Sequence, residues 1–184
     1  MTCESCNRAK SNAFPVAGVR VESPSNNRND WLADSESLTG ENPYLLNPEI
    51  DFPDTHLSFH SDGRFNLDKC SERGKETIRI CHLNRKDLAL ARKGKIDIFF
   101  KEISFQLEQI IKNKRNYKDK ESFYHALKLG FGFIFNKLKE GMDDGQEYSF
   151  LGQCIYNDLE FFILSKLHNE EQRKIVKVAW MLVS

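Results

Sequence analysis

No stretch of this chain approaches the roughly 20 apolar residues that a helix needs to span a bilayer. Its N-terminal residues are polar and lack the apolar centre of a secretory signal. Both absences predict a cytoplasmic protein with no membrane partner. An excess of one charge is missing too. The 27 basic and 27 acidic residues cancel, which excludes a protein that coats nucleic acid by bulk charge and leaves only a local basic site open. Cysteine is sparse and odd in number, with five residues, so reduced thiols are expected rather than a disulfide framework. Proline is absent from residues 71–184, and that stretch is therefore free to be helical.

What is present divides into three parts. Residues 1–16 form a short cysteine-bearing segment. Residues 17–70 are rich in Asn, Ser, Asp and Gly and hold four of the five prolines, so loop with short strands is expected. His56–Phe59 and Arg64–Leu67 alternate polar and apolar residues around Ser61-Asp62-Gly63, which predicts a β-hairpin over 56–67. Residues 71–184 form a helical domain. Ser71 is placed to cap a helix reaching about Leu83. Asn84 is placed to cap a longer one, about Arg85 to Asn113, carrying Ile96, Phe99, Phe100, Ile103, Leu107, Ile110 and Ile111, with Gly94 a candidate kink. Further helices are expected over about Lys120–Glu140, about Tyr148–Leu167, and from Asn169-Glu-Glu-Gln172 onward. The fold class is α+β, mostly α: a β-hairpin followed by a bundle of four to five helices whose phenylalanines form the core.

The chemistry lies in Cys3-x-x-Cys6-Asn7-Arg8-x-Lys10. Two thiolates at this spacing grip one side of a zinc ion, which takes four ligands in a structural site. Asn7, at the start of a helix, offers an amide oxygen suited to Mg²⁺. Arg8 and Lys10 supply positive charge suited to phosphate. A lone Cys-x-x-Cys is equally compatible with a redox pair or with coincidence. His56 and His60 make a poor chelate on a strand, and Cys70 and Cys81 are not at ligand spacing. A homodimer would bring two Cys3/Cys6 pairs together, so an oligomer is also possible.

The run Cys3–Pro15 resembles the end of the HNH motif in the nuclease subunits of Septu-type antiphage systems and their retron-associated relatives. Downstream, Leu45-Leu46-Asn47-Pro48, Asp51, Pro53, His56–Phe59, Asp62-Gly63, Ser71–Ile78, Leu83-Asn84-Arg85, Leu88 and Arg92 resemble that family's segment after the motif. The resemblance covers about residues 1–110 and implies an HNH endonuclease whose complete form cleaves DNA in a metal-dependent way. Cys3 and Cys6 match the second zinc-binding pair. Asn7 matches the last letter of the motif, catalytic and metal-holding, with Mg²⁺ or Mn²⁺ as the ion. Arg8 and Lys10 are then nucleic-acid contacts, and the partner is an ATPase subunit.

The sequence departs from this pattern. It holds no earlier Cys pair and no histidine base, as if cut inside the motif, so residues 1–16 are its C-terminal half. The zinc site is then incomplete and this chain is expected to be inactive alone. Whether it is an enzyme stays open. The alternative is a non-catalytic remnant that binds a partner ATPase or nucleic acid. Ser71, Gly74, Ile78, Ile80 and Leu83 are read as packing residues. Arg73 and Arg85 either bind phosphate or pair with Glu72, Glu76 or Asp87.

Overall fold

The computed structural model describes residues 4–21, 27–143 and 145–183. The chain forms two compact units: Met1–His60 with Arg64–Ala89, and Ser61–Gly63 with Leu90–Ser184. The protein is mostly helical. Among the described residues its β structure is limited to isolated antiparallel bridges. None of the described helices is long and apolar enough to cross a membrane.

The first unit holds α1 (Glu4–Lys10), α2 (Glu36–Thr39), α3 (Pro53–His56), α4 (Glu72–Ile80) and the first turn of α5 (Lys86–Lys112). Residues 15–18 run antiparallel to 41–44 around a Val16–Pro43 bridge. The Ala17 N–H donates to the Asn42 carbonyl (3.1 Å) and the Gly18 N–H to the Glu41 carbonyl (2.9 Å). A Cβ on Gly18 would stand 2.6 Å from the Gly40 oxygen, so this approach requires glycine. The buried Glu41 carboxylate accepts the Val21 N–H at 2.8 Å, which satisfies it.

The strands expected over 56–67 do not form. His56 closes α3, Leu67 opens a 3₁₀ turn, and one Phe59–Phe65 bridge remains between them. The physical reason lies at both ends. Pro53 starts α3, where its missing N–H is harmless, and the Asn66 side chain accepts the Asp68 N–H to start the 3₁₀ turn. Phe59 and Phe65 stack at 4.3 Å and are both buried, so the bridge carries a core plug.

Ser71 caps α4 as expected, its hydroxyl accepting the Gly74 N–H at 3.0 Å. The helix stops at Ile80 rather than near Leu83. Residues 81–84 form a turn in which His82 takes φ 50°. Asn84 is not used as the expected cap. Its amide pairs with the backbone of Phe65, accepting its N–H (2.7 Å) and donating to its carbonyl (3.1 Å).

The second unit holds the rest of α5 with α6 (Lys120–Glu140), α7 (Ser149–Asn157), α8 (Leu159–Phe162) and α9 (Glu170–Val183). α5 runs unbroken through Gly94, which has open space around it. Ile96, Phe99, Ile103, Leu107 and Ile110 are buried at the expected spacing, whereas Ile111 turns to solvent. α6 is closed at its start by Asp119 and Ser122, each accepting the other's backbone N–H. It packs on α9, where Trp180 meets Phe135 edge-on at 4.8 Å and Tyr156 at 4.7 Å. The single helix expected over 148–167 is interrupted. Asp158 leaves helical geometry (φ −133°, ψ 63°) and its carboxylate accepts the Phe161 N–H, so an interior Asp acts as the cap of a new helix. Asn169 caps α9 through the Gln172 N–H at 2.9 Å, and Gln172 reaches back to the His168 N–H.

Candidate functional site

Of the candidate site residues, Cys3 lies outside the described residues. Cys6, Asn7, Arg8 and Lys10 all fall on α1. The helix is short and buries none of its residues. Its local supports are an Arg8–Glu4 ion pair at 2.5 Å and the Ser11 N–H on the Asn7 carbonyl at 2.9 Å, with Ser11 in the left-handed region (φ 48°). Arg8 is thus engaged along its own helix. The Lys10 ammonium lies 5.9 Å from the Phe14 ring centre, at the range of a cation–π contact.

Two residues from distant sequence join this helix. Arg85 donates from Nη1 to the Cys6 sulfur at 3.1 Å, and from Nε to Asp87, also at 3.1 Å. The Asp87 pairing was among those expected for Arg85, but the sulfur contact was not. Cys81, set aside for its spacing, sits within electrostatic reach of Cys6 and Lys10. Burial pushes its thiol up, Cys6 pushes it further, and Lys10 opposes both. A contact spanning 79 positions leaves no periodic trace in sequence, so only its residue types, a thiol and a guanidinium, were visible.

A second cluster sits where α3 meets α4. Ser71 Oγ lies 2.8 Å from His56 Nδ1, and His56 Nε2 lies 3.7 Å from Asp51 Oδ1. A hydroxyl, an imidazole and a carboxylate in series suggest nucleophilic catalysis. Their other partners argue for a structural role. The Ser71 hydroxyl is engaged as the cap of α4. The Asp51 carboxylate is held by both ends of the Arg73 fork, at 2.6 and 2.7 Å, and accepts the Asn47 N–H. Burial pushes the Asp51 carboxyl up, but Arg73, the Asn47 N–H and His56 outweigh it and hold the carboxyl below its usual range. The partner of Arg73 is therefore Asp51, not Glu72 or Glu76.

Among the described residues no group of three or more His, Cys, Asp or Glu converges. Cys6 is a fitting zinc donor in type, and a guanidinium N–H on its sulfur is the kind of outer contact that orients a thiolate ligand. A zinc ion at this site would need three further ligands beside Cys6, since a structural shell is tetrahedral. Asn7 is exposed on the same helix and presents oxygen chemistry suited to a hard divalent ion.

The chain is similar over part of its length to two Septu proteins of Bacillus mycoides strain KBAB4. It is 33% identical over 105 residues to Septu protein PtuB, covering 56% of this chain and 32% of the relative. It is 35% identical over 83 residues to Septu protein PtuA, covering 45% of this chain and 10% of that relative. The chain therefore spans about a third of one curated relative and a tenth of the other. No family profile matches the sequence, and no solved structure matches it.

Proposed function

We propose that this chain serves a Septu-type antiphage defence system as part of an HNH endonuclease that acts with an ATPase subunit on DNA. The observation that carries the reading is the similarity to two proteins of one system, PtuB and PtuA, at a third identity or slightly more. In the complete protein Cys3 and Cys6 hold a structural zinc ion together with ligands from another segment. A Mg²⁺ or Mn²⁺ ion supplies charge stabilisation at the scissile phosphate. This chain's own part is positional. Asn7 presents an amide oxygen, Lys10 and Arg8 present positive charge to phosphate, and the Cys6–Arg85 contact fixes the helix that carries them.

A second reading, a non-catalytic protein that binds the ATPase or nucleic acid, is favoured by a different observation. Several residues that carry the family resemblance, Asp51, His56, Ser71 and Arg73, are engaged in holding the fold.

The two separate in a plaque assay. The gene, cloned with its neighbours into a phage-sensitive bacterium, is expected to lower plaquing, and Asn7→Ala is expected to abolish that protection. Protection lost on gene deletion but kept by Asn7→Ala would overturn the nuclease reading in favour of the second. No protection from the intact locus against a broad phage panel would overturn both. The purified chain alone is expected to leave plasmid DNA intact with Mg²⁺ or Mn²⁺.

A further inference from the structure

The second unit carries two apolar faces on the same pair of helices. One is the core. The other points outward: Ile98 and Phe105 on α5 are 54% and 63% exposed, and Leu129 and Phe133 on α6 are 67% and 77% exposed. Two contacts set the register of these helices. Glu102 pairs with Lys137 at 2.7 Å. Gln106 lies so close to Gly130 that a Cβ there would stand 2.1 Å from its amide nitrogen. The pairs 102 with 137 and 106 with 130 run in opposite senses along the chain, so α5 and α6 are antiparallel. The same register places Phe105 and Phe133 at one level. At about 100° per residue each lies one step outward from the seam residues, on the same side. Two exposed phenylalanines thus flank one helix–helix seam, an arrangement that a lone soluble helix pair does not need.

The charges around Phe105 indicate what covers it. Lys101 lies four residues before and Glu108 three residues after, both exposed, and within about 20° of each other around α5. A second α5 laid antiparallel, with the two-fold axis beside Phe105, brings Lys101 of each copy opposite Glu108 of the other. The apolar stripe meets itself and the charges alternate correctly. This self-complementarity is what an isologous two-fold interface requires. Specific interfaces begin at about 1,000 Å² in total, and each copy offers four large, more than half-exposed apolar side chains on this face.

We infer that the outer face of α5 and α6 is a homodimer interface, with Phe105 at the two-fold and Lys101 paired to Glu108 of the second copy. The inference uses only the second unit and stands independently of the nuclease reading.

The test is sedimentation velocity on the full chain, in low and high salt, with circular dichroism to confirm that each variant is folded. The expected wild-type result is a concentration-dependent dimer in the micromolar range. Phe105→Glu, a change at an exposed position, should leave helicity intact and weaken association by at least about tenfold. Lys101→Glu alone and Glu108→Lys alone should each weaken association, and the double variant should restore it. Restoration identifies the second copy as occupant, because a different partner would not gain from the swap. A monomer throughout the concentration range, or a double variant no better than either single change, would overturn the inference.

Discussion

The guanidinium of Arg73 holds both carboxylate oxygens of Asp51, at 2.6 and 2.7 Å, while two further N–H groups reach the carbonyls of Pro43 and Leu45. One side chain of α4 therefore fixes the whole loop from Pro43 to Asp51. Thr77, one turn further on, continues the link by accepting the Leu46 N–H at 2.9 Å. Leu45 is the loop's buried apolar residue, whereas Tyr44 and Ile50 remain exposed, so these polar bonds carry much of what sets its path.

Replacing Arg73 by Ala leaves a half-buried carboxylate and two carbonyls without their donor. The expected loss is about 3 kcal/mol, the range for breaking one side of a poorly solvated ion pair. Arg73→Lys should recover only a minor part, because an ammonium cannot fork to two oxygens and reach two carbonyls at once. Urea unfolding of the three proteins measures both. A lysine variant as stable as the wild type would show that charge alone suffices.

The same pair sets an acid limit. Asp51 has its folded-state value held below its unfolded one, so its contribution is fully present above about pH 4, the ordinary aspartate value. It is lost as pH falls further, through the depressed folded value. Asp51→Asn removes the contribution at neutral pH and with it this part of the acid dependence. Thermal melts between neutral pH and pH 3 should show the wild type losing more stability than Asp51→Asn over the acid half of the range. Parallel curves would mean that Asp51 is not the group responsible.

Glycine substitutions should divide by surroundings. A Cβ on Gly74 would stand 2.2 Å from the His56 carbonyl oxygen, a contact with backbone that cannot swing away. Gly74→Ala is expected to destabilise the first unit by at least about 2 kcal/mol. Gly94 lies inside α5 with nothing within 4 Å, so Gly94→Ala should stabilise by up to about 1 kcal/mol through helix propensity alone. Denaturation midpoints of the two variants should move in opposite directions.

Much of the helical half was legible because its signals are local. The bounds of α6 match the expected Lys120–Glu140, and Ser71 and Asn169 cap as their positions suggested. The misreadings arose where one side chain had two local uses or a distant one. Asp158 falls inside the single helix expected over about Tyr148–Leu167 and instead starts a new one. Asn84 looked like a cap and is engaged by Phe65, 19 positions away. In the 56–67 stretch, alternation favoured strands, but Pro53 and Asn66 start turns that leave room for a single bridge. The pairing of 15–18 with 41–44 had no alternation to betray it. At the candidate site, α1 was visible from its sequence, whereas Arg85 and Cys81 reach it only through the fold.

That reach gives the sharpest test of how α1 is held. A seven-residue helix is too short to persist in water by its own propensity, and its described residues bury nothing. The Arg85–Cys6 contact is therefore expected to carry much of its attachment. Arg85→Ala should speed amide exchange across Glu4–Lys10 by about tenfold or more, corresponding to one lost hydrogen bond to a charged donor. The global melting temperature should move little, because the contact lies outside both cores. Cys6→Ser should act in the same direction but less strongly, since a hydroxyl still accepts from the guanidinium at a shorter reach. Unchanged exchange in both variants would show that α1 is held by its backbone cap at Ser11 and its Arg8–Glu4 pair instead, and that the guanidinium–sulfur contact contributes nothing measurable.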